Sequence, residues 1–361
     1  MPSLFDDDVR ASDGEALLAD LNPQQRIAVT HTGGPLLIVA GAGSGKTRVL
    51  TRRVAYLLAE RDVQPHEVLA ITFTNKAAGE MRHRVEELVG PRARTMLVST
   101  FHSACVRFLR RDAQRLGYTS SFTIYDQGDA LRLVTMVMRD LDMDAKRVTP
   151  RTILNGISNA KNELIDDETY LERATTPIER QIAEVYRDYQ RRLRAANAMD
   201  FDDLIMNTVT LLQVFKDAAE YYRRRFRHIL VDEYQDTNPL QADILAAMAP
   251  SGEGLMVVGD DAQAIYSFRA ATVENILGFP DGYEPKASVI ALEENYRSTQ
   301  GILAAANGVI SLARERFTKN LWSDREDGIR PLLVGVRDEA EQARYIVERV
   351  LDNREGGARL K

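Results

Sequence analysis

Residues 36–50 read LLIVAGAGSGKTRVL, and the fold turns on them. Leu36 to Val39 is an aliphatic run of the kind that forms a strand buried on both faces. It passes into Gly41-Ala42-Gly43-Ser44-Gly45-Lys46-Thr47 and then into helix-compatible Arg48 to Glu60. Strand, glycine-rich loop and helix start, in that order, satisfy the phosphate-loop pattern G-x-x-x-x-G-K-[ST]. The glycines let successive N–H groups converge on phosphate oxygens, and the helix N-terminus adds partial positive charge. Lys46 is suited to the β and γ phosphates of ATP, and Thr47 to holding Mg²⁺ through its hydroxyl.

Such a loop needs an acidic strand end across from it. Ile229-Leu230-Val231-Asp232-Glu233 supplies one, with aliphatic residues burying the strand and two carboxylates at its tip. Asp232 is the candidate metal ligand, and Glu233 the candidate base that orients and deprotonates the attacking water.

Further short runs rich in β-branched residues lie at Val68–Phe73, Met96–Ser99, His228–Val231, Leu255–Val258 and Ser288–Leu292. Helix-like sequence follows most of them, which is the pattern of a parallel sheet between helices. Between residues 106 and 198 the periodicity turns helical, as expected of an insertion. After Asn295 the pattern predicts a helix at Gly301–Ala313, a loop over Thr318–Gly328, a strand at Pro331–Val336 and a helix at Glu339–Leu351.

A chain of 361 residues is long enough for more than one core. Its net charge of −6 argues against a uniformly basic nucleic-acid coat, yet a local basic stripe would suffice to hold a strand. Candidate stripes are Arg107–Arg115, Arg191–Arg194 and Arg223–Arg227, each of which also reads as a solvated helix face. Cys105 is the lone cysteine, so no internal disulfide can form, and a reducing cytoplasm is expected. The acidic opening MPSLFDDDVR does not suit a signal peptide, and no apolar run is long enough to span a membrane.

The motifs continue in order along the chain: Leu21-Asn22-Pro23-Gln24-Gln25, Thr72-Phe73-Thr74-Asn75-Lys76, Ser99-Thr100-Phe101-His102-Ser103, Asp200-Phe201-Asp202-Asp203-Leu204, Asp232-Glu233-Tyr234-Gln235-Asp236, Gly259 to Tyr266 and Asn295-Tyr296-Arg297-Ser298-Thr299. This series resembles the UvrD, Rep and PcrA helicases of superfamily 1. The resemblance implies an α/β fold: a RecA-like P-loop NTPase parallel sheet with an inserted, mainly helical domain and the start of a second, truncated RecA-like domain. The implied division is an acidic tail over 1–20, the first RecA-like domain over 21–105 and 199–280, the insertion over 106–198, and the beginning of the second RecA-like domain over 281–361.

Site roles implied by the resemblance follow residue by residue. The phosphate-loop residues Gly41, Ala42, Gly43, Ser44, Gly45, Lys46 and Thr47 would hold ATP. Gln25 would read the adenine edge, while Arg48 and Tyr296 would cover its two faces. Gln263 would sense the γ-phosphate, and Arg297 would act as an arginine finger entering from the second motor domain. Phe73, Tyr266 and Phe268 would stack on bases, with Asn75, His102 and Arg269 as polar contacts to sugar or phosphate. The implied activity is ATP-driven 3′-to-5′ movement on single-stranded DNA with separation of duplex at junctions, in repair or replication and beside proteins of those processes.

Two departures stand out. Gly259 to Ala271 reads GDDAQAIYSFRAA where well-known members read GDADQSIYRWRGA, so Phe268 replaces tryptophan. The family also places a large inserted domain and further motifs beyond the position of Lys361, so the 361-residue chain is expected to bind ATP weakly, hydrolyse it poorly and unwind little or nothing. The competing reading is a non-motor ATP-binding or regulatory module that keeps the same pocket. A helicase–nuclease subunit of the AddA or RecB kind fits less well, because the helical insertion is short.

Overall fold

The structure, a computed structural model, describes residues 14–266, 271–325, 328 and 330–359. Phe268 and Arg269 therefore lie outside the described residues. The strands in chain order are β1 (Leu36–Ala40), β2 (Val68–Ile71), β3 (Leu97–Ser99), β4 (Thr123–Tyr125), β5 (Ala198–Asp200), β6 (His228–Val231), β7 (Leu255–Gly259) and β8 (Ser288–Leu292). Six of them form one parallel sheet in the order β3-β2-β6-β7-β1-β8, and β4 with β5 makes a separate parallel pair.

The main sheet is buried on both faces. Leu37, Val39, Leu69, Ile71, Ile229, Val231 and Val257 enter one core, and Leu36, Ile38, Ala40, Val68, Ala70, Leu230, Met256 and Val258 enter the other. Successive side chains on a strand point to opposite faces, so a strand covered on both sides reads as an unbroken aliphatic run. Helices start where capping side chains satisfy their free N–H groups: Asn22, Thr74, Thr100, Asp126, Thr149, Thr176 and Asn238 each accept from a first-turn amide. Because all six strands run one way, the phosphate loop after β1 shares an edge with the residues that follow β6, β7 and β8.

Four sequence expectations are corrected. β8 belongs to the first sheet and not to a domain opening at residue 281, since it pairs with β1 from Leu36↔Ser288 to Ala40↔Leu292. Without β8, the outer edge of β1 would leave its backbone groups unpaired beside a buried core. The insertion does not begin at 106, because helix Phe101–Asp112 runs through that position and Phe108, Leu109, Ala113, Tyr118 and Phe122 pack into the main core. Its own core runs from Ala130 to Ala198. The stretch over 1–20 is not wholly a tail, because Gly14–Leu18 is helical and buries Leu17 and Leu18. Finally, Pro331–Val336 is not a strand: no neighbouring strand pairs with it among the described residues, and Leu333 is 97 % exposed.

The expected helices on either side of that segment are present as Gln300–Ile310 and Glu339–Glu355, the latter burying no residue. No helix among the described residues is long and apolar enough to cross a membrane.

Candidate nucleotide site

The phosphate loop is tightly wound. Ser44 donates through both its hydroxyl (2.7 Å) and its amide (3.2 Å) to the Gly41 carbonyl. Gly43 and Gly45 take φ of +82° and +92°, which side chains disfavour, and a Cβ on Gly43 would lie 2.6 Å from Arg297 Cβ. Helix Lys46–Glu60 starts directly after, so its first amides face the loop. Lys46 Nζ lies 3.0 Å from Glu233 Oε2, joining residues 187 positions apart.

Asp232 continues the β6 ladder by donating its amide to Ile71 O, and Glu233 then turns into the left-handed region at φ 51° and ψ 47°. A glutamate held in that conformation is strained backbone at a strand tip, which is where active sites store it. Withdrawal from water, with the Glu233 charge adding to it, pushes the Asp232 carboxyl up to about 6. Asp236 is likewise pushed up to about 6 by burial and then Glu233, and its Oδ1 is buried without a hydrogen-bond partner. These acids crowd one another in a manner that a hard cation would relieve. Asp232, raised by burial beside Glu233, and the hydroxyl of Thr47 at the start of the helix are oxygen donors of the kind that suits Mg²⁺.

A hydrogen-bonded chain leads away from the phosphate loop. Glu233 Oε2 also accepts from Gln235 Nε2 (2.9 Å), and Gln235 Oε1 accepts from the Asp260 amide at the end of β7 (2.9 Å). The Asp260 carboxylate accepts from Gln263 Nε2 (2.6 Å) and from Lys319 Nζ (2.6 Å). Lys319 also pairs with Asp261, and all three charges are buried. Sequence reading missed Lys319, because nothing local marks a lysine 58 positions from its partner.

Around the expected adenine position, Asn22 donates to both Tyr296 Oη (2.9 Å) and Glu294 Oε2 (2.9 Å). Gln25 is fully buried and donates to Ser44 O at 3.0 Å, while Arg48 reaches the Asp20 carbonyl at 3.3 Å. Tyr296 is 44 % exposed, and its phenol is raised by burial and then by its bond to Glu294. The stretch after β8 is laid on the loop: Tyr296 N donates to Gly43 O (2.9 Å), and Asn295 Nδ2 donates to Ala42 O (2.5 Å). Arg297 thus stands five residues beyond β8, on a segment laid against the phosphate loop.

Phe73 and Tyr266 stack with ring centroids 5.1 Å apart, and Phe73 is 39 % exposed. His102, held below its usual value by burial, meets Phe201 edge-on at 5.7 Å. Phe201 was passed over in the sequence although it sits inside a quoted motif, and its 46 % exposure is what marks it. Asn75 opens helix Asn75–Val89. Phe73 and His102 also line a cleft of about 540 Å³ that runs from Asp232 and Glu233 to Asn155 and Asn159 of the insertion. Within the basic stripes, Arg115, Arg191, Arg192, Arg194, Arg224 and Arg227 pair with carboxylates.

Comparison with known proteins matches residues 21–284 to the UvrD/REP helicase N-terminal domain and residues 290–361 to the UvrD-like helicase C-terminal domain. The ATP-dependent DNA helicase UvrD1 of Mycobacterium tuberculosis is 55 % identical over 353 residues, covering 94 % of this chain and 45 % of the relative. The ATP-dependent DNA helicase PcrA of Bacillus subtilis is 50 % identical over 314 residues, covering 87 % of this chain and 42 % of the relative. PcrA of Staphylococcus aureus is 46 % identical over 346 residues, with 96 % and 47 % covered. The chain spans somewhat under half the length of these relatives.

Proposed function

The chain belongs to the UvrD/REP helicase family, and from that premise we propose that it forms the ATP-hydrolysing, strand-gripping part of a motor that moves 3′-to-5′ along single-stranded DNA and separates duplex at junctions. Repair or replication in the cytoplasm is the setting this reading assigns. The observation that carries it is the Lys46–Glu233 ion pair at the shared edge of the sheet.

Lys46 and Glu233 neutralise each other across the site. An entering γ-phosphate competes for the ammonium, and Glu233 is released to take a proton from water. Gln263, held by Asp260, and Arg297, held over the loop, complete the contacts to the transferring group. Thr47 and Asp232 would hold a Mg²⁺, which would supply neutralisation of phosphate charge. Gln25, Arg48 and Tyr296 hold the base. Phe73, Tyr266 and Phe201 offer stacking faces that accept any base, with Asn75 and His102 beside them. Phe268 and Arg269 are assigned to the same strand contact by the motif alone.

DNA-stimulated ATP hydrolysis tests the proposal, measured in a protein of the relatives' full length. Glu233→Gln is expected to lower turnover by roughly 10²- to 10⁴-fold while nucleotide binding persists. Lys46→Ala is expected to lose binding itself. Nucleotide binding with no DNA stimulation in the unsubstituted protein sinks the motor reading and favours a regulatory module.

A further inference from the structure

The edge of the sheet opposite the nucleotide site holds a second cavity, of about 530 Å³. It lies between helix Lys46–Glu60, the start of β6 and the turn before β7. In its lining are Arg53, only 8 % exposed, and His228, the first residue of β6. Arg53 donates to the Val29 carbonyl at 2.8 Å and has no carboxylate within ion-pair distance among the described residues. Burial and the neighbouring Arg61 push its guanidinium down to about 10. His228 Nδ1 is buried without a hydrogen-bond partner. Burial, then Arg53 and Arg227, push that imidazole down to about 4, so it is neutral in a neutral solution.

Exposed Arg61, Arg223 and Arg227 also line the cavity. Glu67 is already engaged, capping the Gln64 amide at 2.8 Å and facing Arg227 at 3.5 Å. Asp62 and Glu253 are exposed residues of the same lining. A guanidinium buried without a counter-charge is costly, and an oxyanion in the cavity relieves it through charge-assisted hydrogen bonds, while His228 Nδ1, withdrawn from the accessible surface, feels that anion through its charge alone. The two rim carboxylates oppose a polyanionic backbone but tolerate one compact anionic group.

We infer that this cavity is a binding site for a small phosphate-type oxyanion, either free phosphate or the phosphate of a mononucleotide-sized ligand, separate from the phosphate loop. Its volume falls in the range of small-molecule sites.

The test is calorimetric titration of the 361-residue chain carrying Lys46→Ala, which removes the ammonium of the phosphate loop, with inorganic phosphate and with AMP as probes. Phosphate is expected to bind this background. Affinity should fall about tenfold in Arg53→Gln and again in the exposed pair Arg61→Ala with Arg227→Ala, the loss expected of one charge-assisted contact. In NMR the His228 imidazole should titrate at higher pH with phosphate bound, because a bound anion offsets the arginines. Tighter binding of AMP than of phosphate, weakened by the same pocket variants, identifies a phosphorylated small molecule, and the reverse order identifies free phosphate. Loss of all binding in the Lys46→Ala background overturns the site. So does unchanged affinity in both pocket variants, or displacement of phosphate by a single-stranded oligonucleotide.

Discussion

Burial, and then the charge of Glu233, place the Asp232 carboxyl near 6, above its ordinary 3.8. A carboxyl raised on folding keeps a proton that the unfolded chain has already released, so its contribution to stability is complete below about pH 4 and is lost as pH rises through about 6. The nucleotide-free protein therefore pays for ionised Asp232 at neutral pH, by an amount on the order of 3 kcal/mol. Asp232→Asn is expected to raise the Tm of the nucleotide-free protein at pH 7.5 and to change it little at pH 4, as read by differential scanning calorimetry. Equal Tm values at both pH values refute the argument. At this scale Lys46, Thr47, Asp232 and Glu233 were legible because their chemistry is tied to local pattern: a glycine loop before a helix, and acids at the end of an aliphatic run. Phe201 was not, since an aromatic residue in a motif looks the same in sequence whether buried or exposed.

Between elements, two buried charge clusters act as joints. Lys161, from the insertion, is fully buried 2.7 Å from Asp200 and 2.8 Å from Asp203, where β5 meets the helix Phe201–Val214. Burial opposes its charge, but the two carboxylates outweigh that and hold it above its usual value. Lys319 does the corresponding work between the end of β7 and the chain after helix Gln300–Ile310, where Leu321 also packs on Gly41. Removing the Lys319 ammonium leaves Asp260 and Asp261 buried and uncompensated. Lys319→Met is therefore expected to destabilise the protein by about 3–5 kcal/mol in urea denaturation. It should also reduce the preference for ATPγS over ADP, because Asp260 positions Gln263; an unaltered preference in a folded variant refutes that coupling. The six strands of the main sheet were readable from their aliphatic runs, whereas β4 and β5, three residues each inside helical sequence, were not. The place of β8 was not, because an aliphatic run states that a strand is buried without stating its neighbour.

Across the whole molecule, the first sheet is closed on both faces, while Pro331–Val336 and helix Glu339–Glu355 leave Leu332, Leu333, Ile346 and Val347 exposed. An exposed apolar strip of this kind marks a surface built to be covered. The 361-residue polypeptide is accordingly expected to show no strand displacement in a gel assay with a 3′-tailed duplex, and to bind ATP more weakly than a protein of the relatives' full length. Robust displacement by the 361-residue chain refutes this. The sequence by itself determined the phosphate loop, the acidic strand tip, the parallel sheet and the family, because each depends on residue type at short spacing or on order along the chain. Only the tertiary structure decided that β8 pairs with β1, that Arg297 lies against the phosphate loop, that Lys319 neutralises Asp260 and Asp261, and that Arg53 is buried without a counter-ion. Those facts depend on which distant segments share a sheet edge or a cavity, and contacts between distant segments leave no periodic trace in a single chain.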